Sequence, residues 1–199
     1  GDRNISITSW YVEDSSGNRV RIPQGIGDYN PGFSSVGAIT VKKGDRVNVY
    51  TDRGSFGKNI RGNKCVGYLN GIFDIDPKFP NSCVRPYESG EIGGFTGECQ
   101  DFLRSFSGCR VFADDDVSKY EAKYRGVGGL KDSDFTCFDF IRKRVGYGNC
   151  YRLHSGESGF QSNTWYAWVR GLDKMPFNAL HGTLYLFDSL GKLVDEFVY

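Results

Sequence analysis

Two stretches constrain this chain more than any total does: CQDFLR at residues 99–104 and CFDFIR at 137–142, each followed by one more cysteine, Cys109 and Cys150. The first copy puts Cys99, Phe102, Leu103 and Phe106 at i, i+3, i+4 and i+7, the apolar stripe of an amphipathic helix. Cys137, Phe140, Ile141 and Arg144 repeat that spacing, with Asp132, Ser133 or Asp134 available as the helix cap. The runs opening at Cys109 (CRVF) and Cys150 (CYRL) read as short strands, so the repeat predicts a helix and then a strand, twice. A cysteine on the buried stripe lets each helix be tied down covalently.

Metal ligation and disulfide bonding make different demands on such cysteines. A structural zinc site needs ligands in pairs about two to four residues apart. The six cysteines, Cys65, Cys83, Cys99, Cys109, Cys137 and Cys150, form no such pair, and neither His154 nor His181 completes one. Three disulfides follow, and with them an oxidising, extracellular or cell-surface location. Equivalent copies should bond equivalently, which favours Cys99–Cys109 with Cys137–Cys150. The alternative is Cys99–Cys137 with Cys109–Cys150, and both leave Cys65–Cys83.

Outside residues 74–160 the pattern changes from 3.6 to 2. ISITSWYV, the turn EDSSGN and RVRIP read as strand, turn and strand, with Val20 and Ile22 on one face. AITV, KKGD and RVNVYT predict a second hairpin, and CVGYLNGIF a further strand. At the other end GTLYLF, DSLGK and LVDEFVY predict a hairpin whose turn, 188–192, nearly copies 14–18. NTWYAWVRG is a strand carrying Trp165, Tyr166 and Trp168; such a cluster reads first as sandwich core. Trp165 and Trp168 are also candidate binding residues, because exposed rings there would stack on sugars or bases. The 27 Gly, 15 Phe, 12 Tyr and single Met suit turns and pleated surfaces, which supports a mainly β class.

Chemical signatures are sparse. With 25 Lys+Arg against 24 Asp+Glu there is no net field to attract nucleic acid or an anionic membrane. No apolar run reaches the roughly 18 residues of a membrane span, and the start at Gly1 reads as a mature or excised piece whose targeting signal lies elsewhere. No GxSxG, HExxH or P-loop occurs, RGVGG at 125–129 reads as a turn, and no catalytic residue is assigned. Cys150 beside His154 is a nucleophile only if its thiol is free. Asp114, Asp115 and Asp116 are candidate calcium ligands, and with Asp74 and Asp76 they could also supply a glycosidase pair. None has the EF-hand spacing, and a solvated acidic turn is the simpler reading. Asn4-Ile5-Ser6 is a glycosylation sequon.

Taken in order, the terminal blocks resemble the lamin tail domain family. The matching positions are Trp10, Asp14, Gly17, Asn18, Pro23, Gly44, Val49, Tyr50, Thr51, Leu186, Asp188, Gly191, Val194, Asp195 and Tyr199, within residues 4–70 and 160–199, about half of the chain. The resemblance implies an immunoglobulin-like β-sandwich spanning 1–199, interrupted at about 74–160 by a disulfide-bonded α-helical insertion. That insertion is similar to those of some uncharacterised prokaryotic surface proteins of the family. What it implies for function is a non-catalytic extracellular module for adhesion, assembly or protein interaction, with protein or cell-surface partners, further copies of itself included. No cofactor is implied beyond the candidate calcium. The rival expectation is a secreted hydrolase, or a calcium-dependent carbohydrate- or nucleic-acid-binding module using the insert's carboxylates and aromatics.

Overall fold

The computed structural model describes residues 3–51, 55–172, 174–178 and 180–199. The chain forms two compact units. The first holds Gly1–Gly62, Asp74–Pro77 and Gln161–Tyr199, and the second Asn63–Phe73 with Lys78–Phe160. All six cysteines therefore belong to the second.

In the first unit the turn chemistry comes directly from the sequence. Asp14 Oδ1 accepts the N–H groups of Ser16 and Asn18, each at 2.9 Å, while Gly17 takes φ +82°. Asp188 Oδ1 does the same for Leu190 and Lys192 at 2.9 Å, and Gly191 also sits at φ +82°. A short Asp side chain capping its own turn and a glycine in the left-handed region close both hairpins in the same way. They join β2 (Tyr11–Asp14) to β3 (Arg19–Arg21) and β8 (Thr183–Phe187) to β9 (Leu193–Val198). The two hairpins then pair through β2 and β8, Tyr11 opposite Phe187 and Asp14 opposite Leu184, giving the antiparallel order β3-β2-β8-β9.

The expected hairpin across KKGD does not form. β4 (Thr40–Val41) pairs with β1 (Ile5–Ser6), whereas β5 (Arg46–Thr51) lies parallel to β7 (Gln161–Val169) in a sheet of order β5-β7-β6, with β6 at Ile60–Asn63. Lys42–Asp45 is thus a turn between sheets, with Gly44 at φ +89° and Asp45 Oδ2 accepting the Lys42 N–H. Alternation through Val47 and Val49 marks a half-buried strand but not its neighbour, and Trp165 and Ala167 stand directly opposite those valines. Ile7, Ile22, Ile39, Trp165 and Ala167 form the core, flanked by Trp10, Val41 and Val47. Each such large side chain, fully buried, contributes about 1.5–3 kcal/mol.

The second unit carries four helices, α1 (Gly97–Arg104), α2 (Asp114–Tyr124), α3 (Asp132–Arg142) and α4 (Tyr147–His154). CVGYLNGIF is a 3-10 helix over Val66–Gly71 rather than a strand, since Val66, Tyr68 and Leu69 are all buried and not alternate residues. The strands expected at Cys109 and Cys150 are also absent: Cys109 lies in a loop and Cys150 inside α4. Three disulfides are present, with a connectivity different from either expected one: Cys65–Cys150, Cys83–Cys109 and Cys99–Cys137. Only Cys99–Cys137 belongs to one of the two schemes. The buried stripes of α1 and α3 face each other, which brings the equivalent cysteines to a Cα separation of 6.0 Å. Equivalence therefore bonds the copies to one another, and a helix is not tied to its own successor.

The stripe of α1 is as expected, with Cys99, Phe102, Leu103 and Phe106 buried. That of α3 is rotated: Asp134, Cys137, Phe138 and Ile141 are buried, while Phe140 is half-buried against Phe95. Phe138 wins because it enters a ring cluster, 5.6 Å from Phe102 and 5.1 Å from Tyr120, both edge-on. Arg144 lies outside, its guanidinium over the Phe140 ring.

Candidate functional site

Among the described residues the large pKa shifts lie inside the second unit. Asp134 is fully buried as the third residue of α3, where it accepts the Lys131 N–H at 2.9 Å, the Tyr120 hydroxyl at 2.9 Å and Arg125 Nε at 2.6 Å. The Arg125 guanidinium, then burial acting against it, then the backbone N–H set the Asp134 carboxyl at about 2. Burial and the bond to Asp134 push the Tyr120 hydroxyl up to about 12. α2 repeats the device, with Asp116 accepting the Ala113 N–H and pairing with Arg110. A carboxylate at the third helical position serves the first turn's exposed N–H groups and the positive end of the helix dipole. These groups have their partners and hold helices in place; they are not poised for proton transfer.

The acidic run is therefore a helix start and not a calcium cradle. Asp116 is committed to Arg110, Asp115 pairs with Lys119 four residues on at 2.6 Å, and Asp114 stays exposed. Among the described residues no group of three or more His, Cys, Asp or Glu side chains is placed to hold a metal ion. Trp165 and Trp168 are buried, 2% and 5% exposed, with their indole N–H groups donating to the carbonyls of Thr40 and Asp76. Rings enclosed in this way offer no face to a sugar or base, so they are core. Cys150 is oxidised and no nucleophile, and His154 Nδ1 lies 2.6 Å from Glu157. In the repeat Asp101 pairs with Arg104 at 2.9 Å as its spacing suggests, but Asp139 pairs with Lys143, and Arg142 stacks over Phe112 instead.

What the first unit displays was not singled out in the sequence. On one face of β3-β2-β8, Tyr11 stacks on Phe187 at 5.0 Å between ring centres, and the guanidinium groups of Arg19 and Arg21 lie 4.1 Å and 5.1 Å from the Tyr11 ring centre. Arg19 is also bonded to Glu13 across the hairpin at 2.7 Å, while Arg21 donates to the Ser9 carbonyl at 3.3 Å. At the far side of the sheet all six residues of β9 are exposed, Phe197 by 64% and Val198 by 71%. Gly182 and Tyr199 exchange both backbone hydrogen bonds at 3.0 Å and 3.1 Å. The antiparallel alternation then turns the Phe197 and Asp195 amides toward β8 and those of Glu196 and Val198 outward. The Glu196 N–H is met by the carboxylate of Asp195 at 2.9 Å. Alternation in RVR and LVDEFV was the available signal, but a period of 2 identifies faces and says nothing of which strand is last in its sheet.

A concave surface of this unit, about 520 Å³, runs along Gln24, Gly25, Lys58, Asn59, Trp168 and Arg170. Asn59 is engaged within it, donating to the Gln24 carbonyl and accepting the Trp168 backbone N–H, and the lining, which includes Pro23, Ile26 and Val36, holds no carboxylate or histidine. No protein-family model, curated protein or solved structure matches the chain.

Proposed function

We propose that this chain is a non-catalytic extracellular module for adhesion, assembly or protein interaction, an immunoglobulin-like, lamin-tail-like sandwich bearing a disulfide-bonded helical insertion. The observation that carries the reading is the open edge of β9, a six-residue strand exposed along its whole length at the end of a four-stranded sheet. An exposed edge carrying apolar side chains is a template for strand addition, in which an extended chain joins the sheet through its backbone. Three disulfides suit work outside the reducing cytosol. The ionised groups with the largest shifts are enclosed or ion-paired, as befits a scaffold.

The test selects phage-displayed extended peptides on the immobilised oxidised protein and maps them by hydrogen exchange. Selected peptides are expected to slow exchange at the amides of Glu196 and Val198. Binding confined to other regions, or turnover of chromogenic ester, glycoside or phosphodiester substrates with or without calcium, would sink the proposal.

A further inference from the structure

We infer that the strand received by β9 is β3 of a second copy of this chain, so that the four-stranded sheet continues head to tail from one molecule to the next. The inference rests on the interaction-module reading above and supplies its partner.

Three observations converge. The first is parity. The sheet runs β3-β2-β8-β9 with every neighbour antiparallel. Four alternating strands leave β3 and β9 pointing in opposite directions, so β9 of one copy meets β3 of an identically oriented copy as one more antiparallel pair. An odd number of strands would have forced a parallel junction or an inverted copy.

The second is charge. β9 is acidic, through Asp195 and Glu196, and β3 is basic, through Arg19 and Arg21. Two β9 strands laid antiparallel about their centre place acid against acid, which is destabilising for directly opposed side chains. A pair of β3 strands suffers the same with arginine. Each edge thus rejects itself and accepts the other, a combination of repulsive and attractive elements that selects a heterologous contact.

The third is register. The Asp14 N–H donates to Asn18 O and the Ile22 N–H to Trp10 O, which places the inward-bonded residues of the first hairpin at even numbers. Arg19 and Arg21 then have their backbone groups directed outward, as Glu196 and Val198 do on β9. Setting Arg21 opposite Glu196 brings Arg19 opposite Val198 and Val20 opposite Phe197. Among the described residues Arg21 has no carboxylate partner and Glu196 no cation, whereas Arg19 keeps its bond to Glu13. The register pairs the two unmatched charges and covers Phe197, which is 64% exposed in the single molecule. Forming it requires the Glu196 N–H to leave the Asp195 carboxylate for a backbone carbonyl. Because the contact joins two different edges it does not close on itself after one step, and strand twist winds the stack into an open helix.

The experiment is sedimentation velocity of the full oxidised chain over a concentration series, with Arg21→Glu, Glu196→Arg and an equimolar mixture of the two variants. Wild type is expected to form a growing series of oligomers, and each variant alone to associate about five- to tenfold more weakly, the scale of an exposed cross-strand pair replaced by like charges. In the mixture every junction regains one Glu and one Arg, and association is expected to return to the wild-type level. Both side chains are exposed, and unchanged thermal melting of each variant checks the fold. A wild type monomeric at every concentration would overturn the inference, as would variants that associate like wild type or a mixture no tighter than its components. If the chain stays monomeric while selected peptides still protect Glu196 and Val198, the module reading stands and the second-copy assignment alone falls.

Discussion

Asp134 shows how much a single side chain can carry in a molecule of this size. It lies beneath Arg125, whose own side chain is only 6% exposed, and beside the Tyr120 hydroxyl. Asp134→Asn would remove the charge and leave the buried guanidinium only its 3.9 Å pairing with Glu98, so a loss of about 3–5 kcal/mol is expected in urea unfolding. The same group makes acid stability legible. Its carboxyl ionises at about 2 in the folded chain against roughly 3.9 unfolded, so its contribution of about 2 kcal/mol is complete above pH ~4 and disappears as the pH falls toward 2. The gap between wild type and Asp134→Asn should narrow by about 2 kcal/mol over that range; parallel curves would refute the assignment. By contrast Asp101, 61% exposed beside Arg104, should yield only about 0.2–0.5 kcal/mol on change to Asn.

At the scale of elements, the helices that could be read were those with an apolar stripe. α1 declared itself through Cys99, Phe102, Leu103 and Phe106. α3 was recognisable but rotated, because Phe138 and Phe140 flank Asp139 and either could begin a plausible stripe; the ring cluster around Phe102 decided it. Phe138→Ala is therefore expected to cost about 3–5 kcal/mol in thermal or urea melts and Phe140→Ala clearly less; equal losses would contradict the packing described. α2 is hard to read for a physical reason, since it buries only Asp116 and Tyr120 and its apolar stripe is no more than Val117, Tyr120 and Tyr124. Its three leading aspartates, which suit the positive end of a helix dipole, were the available clue. α4 starts from Gly146 at φ +89° and contains Gly148, two residues that ordinarily argue against a helix. Among strands, faces were legible and neighbours were not: both terminal hairpins form, but β5 pairs with β7, more than a hundred residues away, as no local pattern could indicate. The edges proposed to meet in the assembly were hidden for the same reason.

For the molecule as a whole, every covalent crosslink lies in one of the two units. Cys65–Cys150 spans 85 residues, and both other disulfides fall within that span. A module with the proposed adhesive or assembling role would be pulled upon, and the crosslink decides where tension can go. A load applied through residues on either side of the span passes from Cys65 to Cys150 through the sulfur–sulfur bond and bypasses everything between them. Helices α1–α3 and the two inner bridges are then mechanically silent, and resistance to stretching resides in the β-sheets and the last turn of α4, which lies beyond Cys150. Full extension of the reduced chain should exceed that of the oxidised one by about 280–310 Å, the reach of 85 residues at ~3.3–3.6 Å each. Single-molecule stretching with and without reductant measures this difference directly, and equal lengths would mean that the outer bridge is not there. With the bridge in place, a pull that melts the sheets leaves α1–α3 folded on a line held taut by one bond.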